Sequence, residues 1–295
     1  MTMHIMTKLT LGLGAVLFVI SGIAFVIGGA EIDSAFGDLD ESTVGDEEFW
    51  TGDTSSDFNG KLKWDQKLKV SSIAESRSPS KLYLESGSTI KVKDAVMALI
   101  IKSANDVATV IAESLATTEK EFAKMMTKKA RELGMNRTTF KNASGLPNRA
   151  QLTTARDIAR LSHALIKNYP EYYKLFRTEK FKWEGKTYKS HNKLMKRYEG
   201  ADGIKTGYIR KSGFQLSFSA VRNNRRLIAV YFGGDSAKHR DNTVKFLMDK
   251  EFGEITNLKK STGKYKIVVG TFKYKKNAIK HSKKISKSFP SKFKD

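Results

Sequence analysis

Apolar positions along this chain form one unbroken run at its start, then recur with helical spacing, then alternate. Residues 9–30 carry no charge, and a helix needs ~20 such residues to cross a bilayer. Lys8 precedes the run and Glu31 follows it, a bias that keeps the N-terminus in the cytoplasm and the body outside. Gly12, Gly14, Gly22, Gly28 and Gly29 argue against a buried core helix. The small residues Gly28-Gly29-Ala30 also suit a cleavage site. An uncleaved anchor is the favoured reading over a cleaved signal, and both export the body. Further on, Val96, Leu99 and Ile100, then Val107, Ile111 and Leu115, keep helical spacing. The polar stretch Lys102-Ser103-Ala104-Asn105-Asp106 interrupts them, which predicts two helices meeting at a short loop. Helices are also predicted from Glu119 to Leu133 and from Thr154 to Asn168. From Gly213 to Val221 the pattern alternates, with Phe214, Leu216, Phe218 and Ala220 on one face. A second strand runs from Leu227 to Gly233, and Asn223-Asn224-Arg225-Arg226 between the two predicts an antiparallel hairpin. Helices first and meandering strands second give an α+β layering.

Charge divides the chain into three parts. Residues 1–60 hold one basic residue, Lys8, against ten acidic ones, a net of −9, and the stretch 31–60 reads as a solvated acidic linker. The remainder carries the balance of the 53 Lys+Arg and 31 Asp+Glu, a net of +31. Such a body is drawn to polyanions: nucleic acid, anionic lipid or a carboxylate-rich polymer. The division is therefore an anchor and linker at 1–60, a folded body at 61–255 and a Lys-rich tail at 256–295. With no cysteine in the sequence, disulfides, Cys-zinc sites and cysteine nucleophiles are excluded. His4, His163, His191, His239 and His281 lie far apart, so no metal site and no cofactor is expected.

Three short constellations carry candidate chemistry. In Lys102-Ser103-Ala104-Asn105, a Ser and an Asn two apart on a loop can face one cleft. The plainer reading is that Ser103 or Asn105 caps the next helix. In Asp202-Gly203-Ile204-Lys205-Thr206-Gly207-Tyr208, a Lys, a hydroxyl and a Gly let a cation and a backbone approach a ligand carboxylate. The plainer reading is a charged edge strand. The third, Asn142-Ala143-Ser144-Gly145-Leu146-Pro147, otherwise reads as a loop.

Together, S-x-N followed about a hundred residues later by K-T-G resembles the serine penicillin-binding proteins and β-lactamases. The flanking text (SPSKLYLESGSTIKVKDAVMALIIKSANDVATVIAE, MNRTTFKNASGLP, QLTTARDIARL and DGIKTGYIRKSGF) is similar to the D-alanyl-D-alanine carboxypeptidases, low-molecular-mass penicillin-binding proteins. The resemblance runs from about Leu62 to Gly253. It implies an antiparallel sheet with helices of the β-lactamase/transpeptidase-like type, preceded here by the N-terminal transmembrane helix. It further implies that Ser103 and Asn105 relay protons and hold the substrate peptide. Lys205 and Thr206 would bind a terminal D-Ala carboxylate, Gly207 would allow close approach, and the Tyr208 amide would form half of an oxyanion hole. The implied partner is peptidoglycan, stem peptide and glycan, at a bacterial inner membrane reached through residues 9–30, with the body in the periplasm or outside the cell. An exported body without a base-stacking module speaks against nucleic acid.

The same family needs an S-x-x-K several tens of residues before S-x-N, its Ser acylated and its Lys the base. Five matches occur: Ser78/Lys81, Ser88/Lys91, Ser190/Lys193, Ser261/Lys264 and Ser291/Lys294. Only the first two precede Ser103, and both lie too near it, outside any apolar helix. Ile5-Met6-Thr7-Lys8 echoes the motif without the required hydroxyl. Residues 1–60 thus stand where the family keeps its first strands and nucleophile helix, leaving the body N-terminally incomplete. Either catalysis has been lost, or a foreign 5′ end has been joined to a carboxypeptidase gene. The carboxypeptidase reaction and β-lactam acylation are implied only where a nucleophile exists; the alternative is a non-catalytic peptidoglycan-binding protein that keeps the cleft. A third reading is a cationic surface adhesin. In the tail, residues 264–272 read as a strand and 277–289 as a basic helix. They resemble the first half of a sporulation-related repeat, beside the plainer reading of a solvated basic tail.

Overall fold

The computed structural model describes residues 62–257 and 265–271. A small two-stranded arm, β1 (Lys67–Lys69) and β2 (Thr89–Lys91), flanks the short helix α1 (Ser72–Glu75). Three helices follow: α2 (Val92–Ile101), α3 (Asn105–Leu115) and α4 (Glu119–Glu132). The break between α2 and α3 lies where the polar stretch predicts it. The Thr118 hydroxyl accepts from the Glu121 amide at the start of α4, and Thr154 does the same for Asp157 at the start of α5 (Ala155–Asn168). Each satisfies one of the orphan donors of a helix N-terminus. The short helix α6 (Pro170–Tyr173) follows, then a hairpin of β3 (Lys180–Trp183) and β4 (Lys186–Lys189).

The main sheet has the order β5 (Ala201–Ile209), β6 (Gly213–Arg222), β7 (Arg225–Gly234), β8 (Tyr265–Thr271). The first three strands are antiparallel, and the β6–β7 turn carries Asn223 and Asn224 at φ 49° and 58°, the positive values a two-residue hairpin turn requires. The sheet departs from the expected wholly antiparallel form at one edge, where β8 runs parallel to β7. A parallel neighbour needs a long crossover, and helix α7 (Ala237–Asn257) supplies it. The sequence reading leaves out this helix, the small arm and the β3–β4 hairpin.

β7 is apolar on both faces. Ile228, Val230 and Phe232 join the core made with α2–α5, whereas Leu227, Ala229 and Tyr231 join a second core with Val244, Met248 and Phe252 of α7. A strand between two covered faces reads as a continuous apolar run rather than an alternation. The polar face of β6 is buried as well. Ser217 and Ser219 are 3% and 0% exposed, and the Ser217 hydroxyl pairs with that of Ser162 on α5 at 2.8 Å. Among the described residues no helix is long and apolar enough to cross a membrane. The apolar run at 9–30 lies outside those residues, as does the predicted tail helix at 277–289.

Candidate functional site

Lys205 sits in the middle of β5. It pairs with Ser217, and Ser217 with Val230, so its side chain emerges on the face covered by the helices. There Lys205 Nζ donates to Ser103 Oγ in the α2–α3 break and also to the Thr206 carbonyl at 3.2 Å. The two separated motifs therefore meet through their Lys and Ser. Ser103 occupies the left-handed region at φ 55°, which a residue with a Cβ seldom adopts. Its neighbour Ala104 is the N-cap of α3, with no side-chain cap bond. Neither Ser103 nor Asn105 therefore serves as the cap. Asn105 instead donates from Nδ2 to the Ser78 carbonyl at 2.8 Å, and its amide donates to the Ser80 carbonyl at 2.7 Å.

The loop in front of the break is fixed by one buried carboxylate. Asp106, 0% exposed, accepts from the amides of Leu82, Tyr83 and Leu84 at 3.1, 2.9 and 3.2 Å. Three amide donors on one carboxylate hold a loop far more firmly than side-chain packing alone. Tyr83, at φ 68°, is 62% exposed. The Ser80 hydroxyl donates to the Lys102 carbonyl at 2.9 Å, closing the loop onto the break.

At the other end of β5, Asp202 bonds both Arg226, at 2.7 Å, and the Tyr173 hydroxyl, at 2.7 Å. Burial raises the Tyr173 pKa first, with the Asp202 charge adding to it. A Cβ at Gly203 would stand 2.8 Å from the Tyr173 hydroxyl oxygen; glycine is what lets that tyrosine reach Asp202. Thr206 pairs with Leu216, and Leu216 with Tyr231, so Thr206 lies on the opposite face from Lys205. A ligand touching both must lie along the outer edge of β5, the end strand of the sheet. Gly207 follows on that edge, and Tyr208 is 57% exposed, its ring tilted at 38° against Phe214 with centroids 4.4 Å apart.

Positive charge converges here. Burial, and then the charge of Arg240, pulls the Lys205 pKa down to about 8. Arg240 is 3% exposed at the start of α7, in an ion pair with Asp241 at 2.6 Å. Its Nη1 reaches toward the Gln215 carbonyl at 3.5 Å, and Gln215 pairs with Gly207. His191 has its pKa lowered to about 4, by burial first and then by Lys205, Lys102, Arg240 and Lys193. It is thus neutral at neutral pH among cations. The sequence reading misses Arg240 and His191: each is a single residue in a polar stretch, placed at the cleft only by the α7 crossover and by the segment after β4. Four cations around a neutral imidazole suit a small carboxylate. Among the described residues no group of acidic and histidine side chains could hold a metal ion.

The S-x-x-K matches within the described residues lie off the α-helices, with Lys193 opening a short 3-10 helix, Lys193–Lys196. Lys81 Nζ donates to the Glu75 carbonyl at 2.7 Å, Ser88 Oγ to the Glu85 carbonyl at 2.6 Å, and Ser190 Oγ accepts from the Asn192 amide at 3.2 Å. The third constellation is structural. Asn142 Oδ1 accepts from the Gly145 amide at 2.6 Å, Gln151 accepts from the Lys141 amide at 2.7 Å, and Glu119 accepts from the Ala143 amide at 2.9 Å.

Residues 54–236 match the peptidase S11 family, D-alanyl-D-alanine carboxypeptidase. The chain is 36% identical over 204 residues to D-alanyl-D-alanine carboxypeptidase DacF of Bacillus subtilis, covering 66% of this chain and 51% of that one. It is 36% identical over 170 residues to DacD of Escherichia coli, covering 57% and 44%. It thus spans about half the length of these relatives. Among solved structures, penicillin binding protein 6B from Escherichia coli superposes with a TM-score of 0.62 at 26% identity, over 80% of this chain and 68% of that one. Penicillin-binding protein D2 from Listeria monocytogenes, in its cefotaxime-bound form, gives 0.59 at 25% identity, over 82% and 86%. The α+β fold is that of these penicillin-binding proteins, and the chain belongs to the D-alanyl-D-alanine carboxypeptidase family.

Proposed function

We propose that the cleft between the α2–α3 break and the outer edge of β5 holds the C-terminal carboxylate of a D-Ala-D-Ala stem peptide of peptidoglycan. The observation that carries this reading is the contact of Lys205 with Ser103, which joins the outer strand β5 to the α2–α3 break. Lys205, Thr206, Gly207 and Tyr208 line the ligand's path, and Ser103 and Asn105 position it. The family reaction, removal of the terminal D-Ala through an acyl-enzyme, requires a serine activated by a neighbouring base. No S-x-x-K match precedes Ser103 at the family's spacing in this sequence. The function proposed is therefore recognition of the stem peptide, with no release of D-Ala from a pentapeptide. The uncharged run at 9–30 and the family's substrate support a place at the outer face of a bacterial inner membrane.

The test is binding of a diacetyl-Lys-D-Ala-D-Ala tripeptide. Lys205→Ala should weaken it by ~1.5–3 kcal/mol, roughly tenfold to a hundredfold, the range for hydrogen bonds to charged groups. Lys205→Met, which keeps the buried stem, guards against loss through unfolding. Lys273→Ala in the tail should leave binding unchanged. Equal effects at 205 and 273 would reduce the K-T-G segment to a charged edge strand. Release of D-Ala by the purified chain would restore the catalytic reading.

A further inference from the structure

Beside the cleft, two lysines from distant segments meet at one aromatic ring. Tyr188 lies on β4 and is 8% exposed, its ring stacked on Phe181 of β3 with centroids 6.2 Å apart. Both rings belong to the core made with α2–α5, so the hairpin has a fixed seat. Its turn carries Glu184 and Gly185 at φ 46° and 73°. Lys186 is the first residue after that turn, paired with Trp183. It stands two residues before Tyr188 and so on the same face of β4. Lys186 Nζ lies 5.6 Å from the centroid of the Tyr188 ring. Lys102 Nζ, from the α2–α3 break, lies 5.9 Å from the same centroid. Each is within range of a cation–π contact, yet two ammonium groups gathered at one ring repel each other. Neither has a carboxylate partner among the described residues. Two unpaired ammonium groups held in this way suit an anionic group.

We propose that Lys102 and Lys186 form an anion subsite beside the cleft, which takes a second carboxylate of the bound stem peptide, carried by a residue upstream of D-Ala-D-Ala. The choice of a peptide as occupant rests on the carboxylate reading of the cleft; the pairing of the two cations does not. Lys102 directly precedes Ser103, and Ser103 touches Lys205. One backbone step of ~3.8 Å and the length of a lysine side chain therefore separate Ser103 from the Lys102 amine. Three residues of extended chain span a comparable distance, roughly 10 Å. In the pentapeptide L-Ala-γ-D-Glu-L-Lys-D-Ala-D-Ala, the residue three before the C-terminus is the glutamyl residue, with a free α-carboxylate. The acid form gains a charge-assisted contact at the subsite, whereas its amide offers the ammonium groups only a neutral carbonyl. The subsite thus sets a preference between two forms of one peptide rather than affinity alone.

The experiment is calorimetry on the full chain at pH 7 with three ligands: diacetyl-Lys-D-Ala-D-Ala, the pentapeptide with its glutamyl α-carboxylate free, and the same pentapeptide with that group amidated. The acid pentapeptide should bind about tenfold more tightly than its amide. Lys186→Met should cut that preference to about threefold or less, with tripeptide affinity on the same sample reporting an intact cleft. Lys182→Met makes the same charge change on the outer face of the hairpin and should keep the preference whole. Equal binding of acid and amide, a preference untouched by Lys186→Met, or one that Lys182→Met removes as fully, overturns the subsite. The tripeptide has no second carboxylate and so separates the two readings. Its binding beside equal affinities for the two pentapeptides sinks the subsite alone. Its failure to bind beside a retained acid preference sinks the terminal-carboxylate cleft alone. Binding of none of the three overturns both.

Discussion

A lysine that is 3% exposed has lost most of the hydration its ammonium would have in water, and Arg240 adds repulsion. Both effects favour the neutral amine, so Lys205 gives up its proton at a lower pH than an exposed lysine does. Gly203, two residues earlier, shows how little room β5 has. Gly203→Ala would drive a methyl to within 2.8 Å of the Tyr173 hydroxyl oxygen, breaking its bond to the buried Asp202. Overpacking of this kind costs about 1–3 kcal/mol, read as a lower urea midpoint with an unchanged slope. A midpoint equal to that of the unaltered protein would mean Tyr173 moves aside freely. At this scale the sequence is legible where a motif is dense: Ser103 and Lys205, singled out in two motifs far apart in the chain, lie in contact. It was silent on Arg240 and His191, because their positions follow from tertiary crossings that leave no periodic trace.

Among the elements, the helices α2 to α5 and the β6–β7 hairpin follow from apolar spacing and turn residues. The polar stretch predicts the α2–α3 break, and the plainer expectation of a Ser103 or Asn105 cap fails: Ala104 is the N-cap, Asn105 and Asp106 are turned to the neighbouring loop, and Ser103 meets Lys205. Asp106 does most of that work. It lies in the first turn of α3, where a negative charge also suits the helix dipole. Asp106→Ala would leave the amides of Leu82, Tyr83 and Leu84 without their acceptor. Each buried unsatisfied donor costs about 1–3 kcal/mol. Hydrogen exchange at these amides should therefore accelerate well before that of β6 and β7. Uniform acceleration across the molecule would instead make Asp106 a global support rather than a loop anchor. The helix α7 escaped the sequence reading because its outer face is polar and Phe246 on it is 66% exposed. That breaks the apolar stripe which would have marked it.

The molecule as a whole joins an acidic N-terminal stretch to a strongly basic body, net −9 against +31. That asymmetry was visible from composition alone and bears on partners rather than on fold. Purified peptidoglycan should retain the chain, and part of the retention should fall as salt rises, since exposed charges are screened within ~8 Å at physiological ionic strength. Removing residues 272–295 should weaken it while leaving β8 in the chain. Retention indifferent to both salt and tail would place recognition wholly in the cleft. The central claim is narrower, that a carboxylate is what the cleft reads, and calorimetric titration tests it with one pair of ligands. Diacetyl-Lys-D-Ala-D-Ala and its C-terminal amide differ only at the terminal group, a charged acceptor in one and a neutral amide in the other, at the position proposed to meet Lys205 and Thr206. At pH 7 the free acid should bind at least about tenfold more tightly, the loss of one charge-assisted contact; equal affinity for acid and amide would contradict the account.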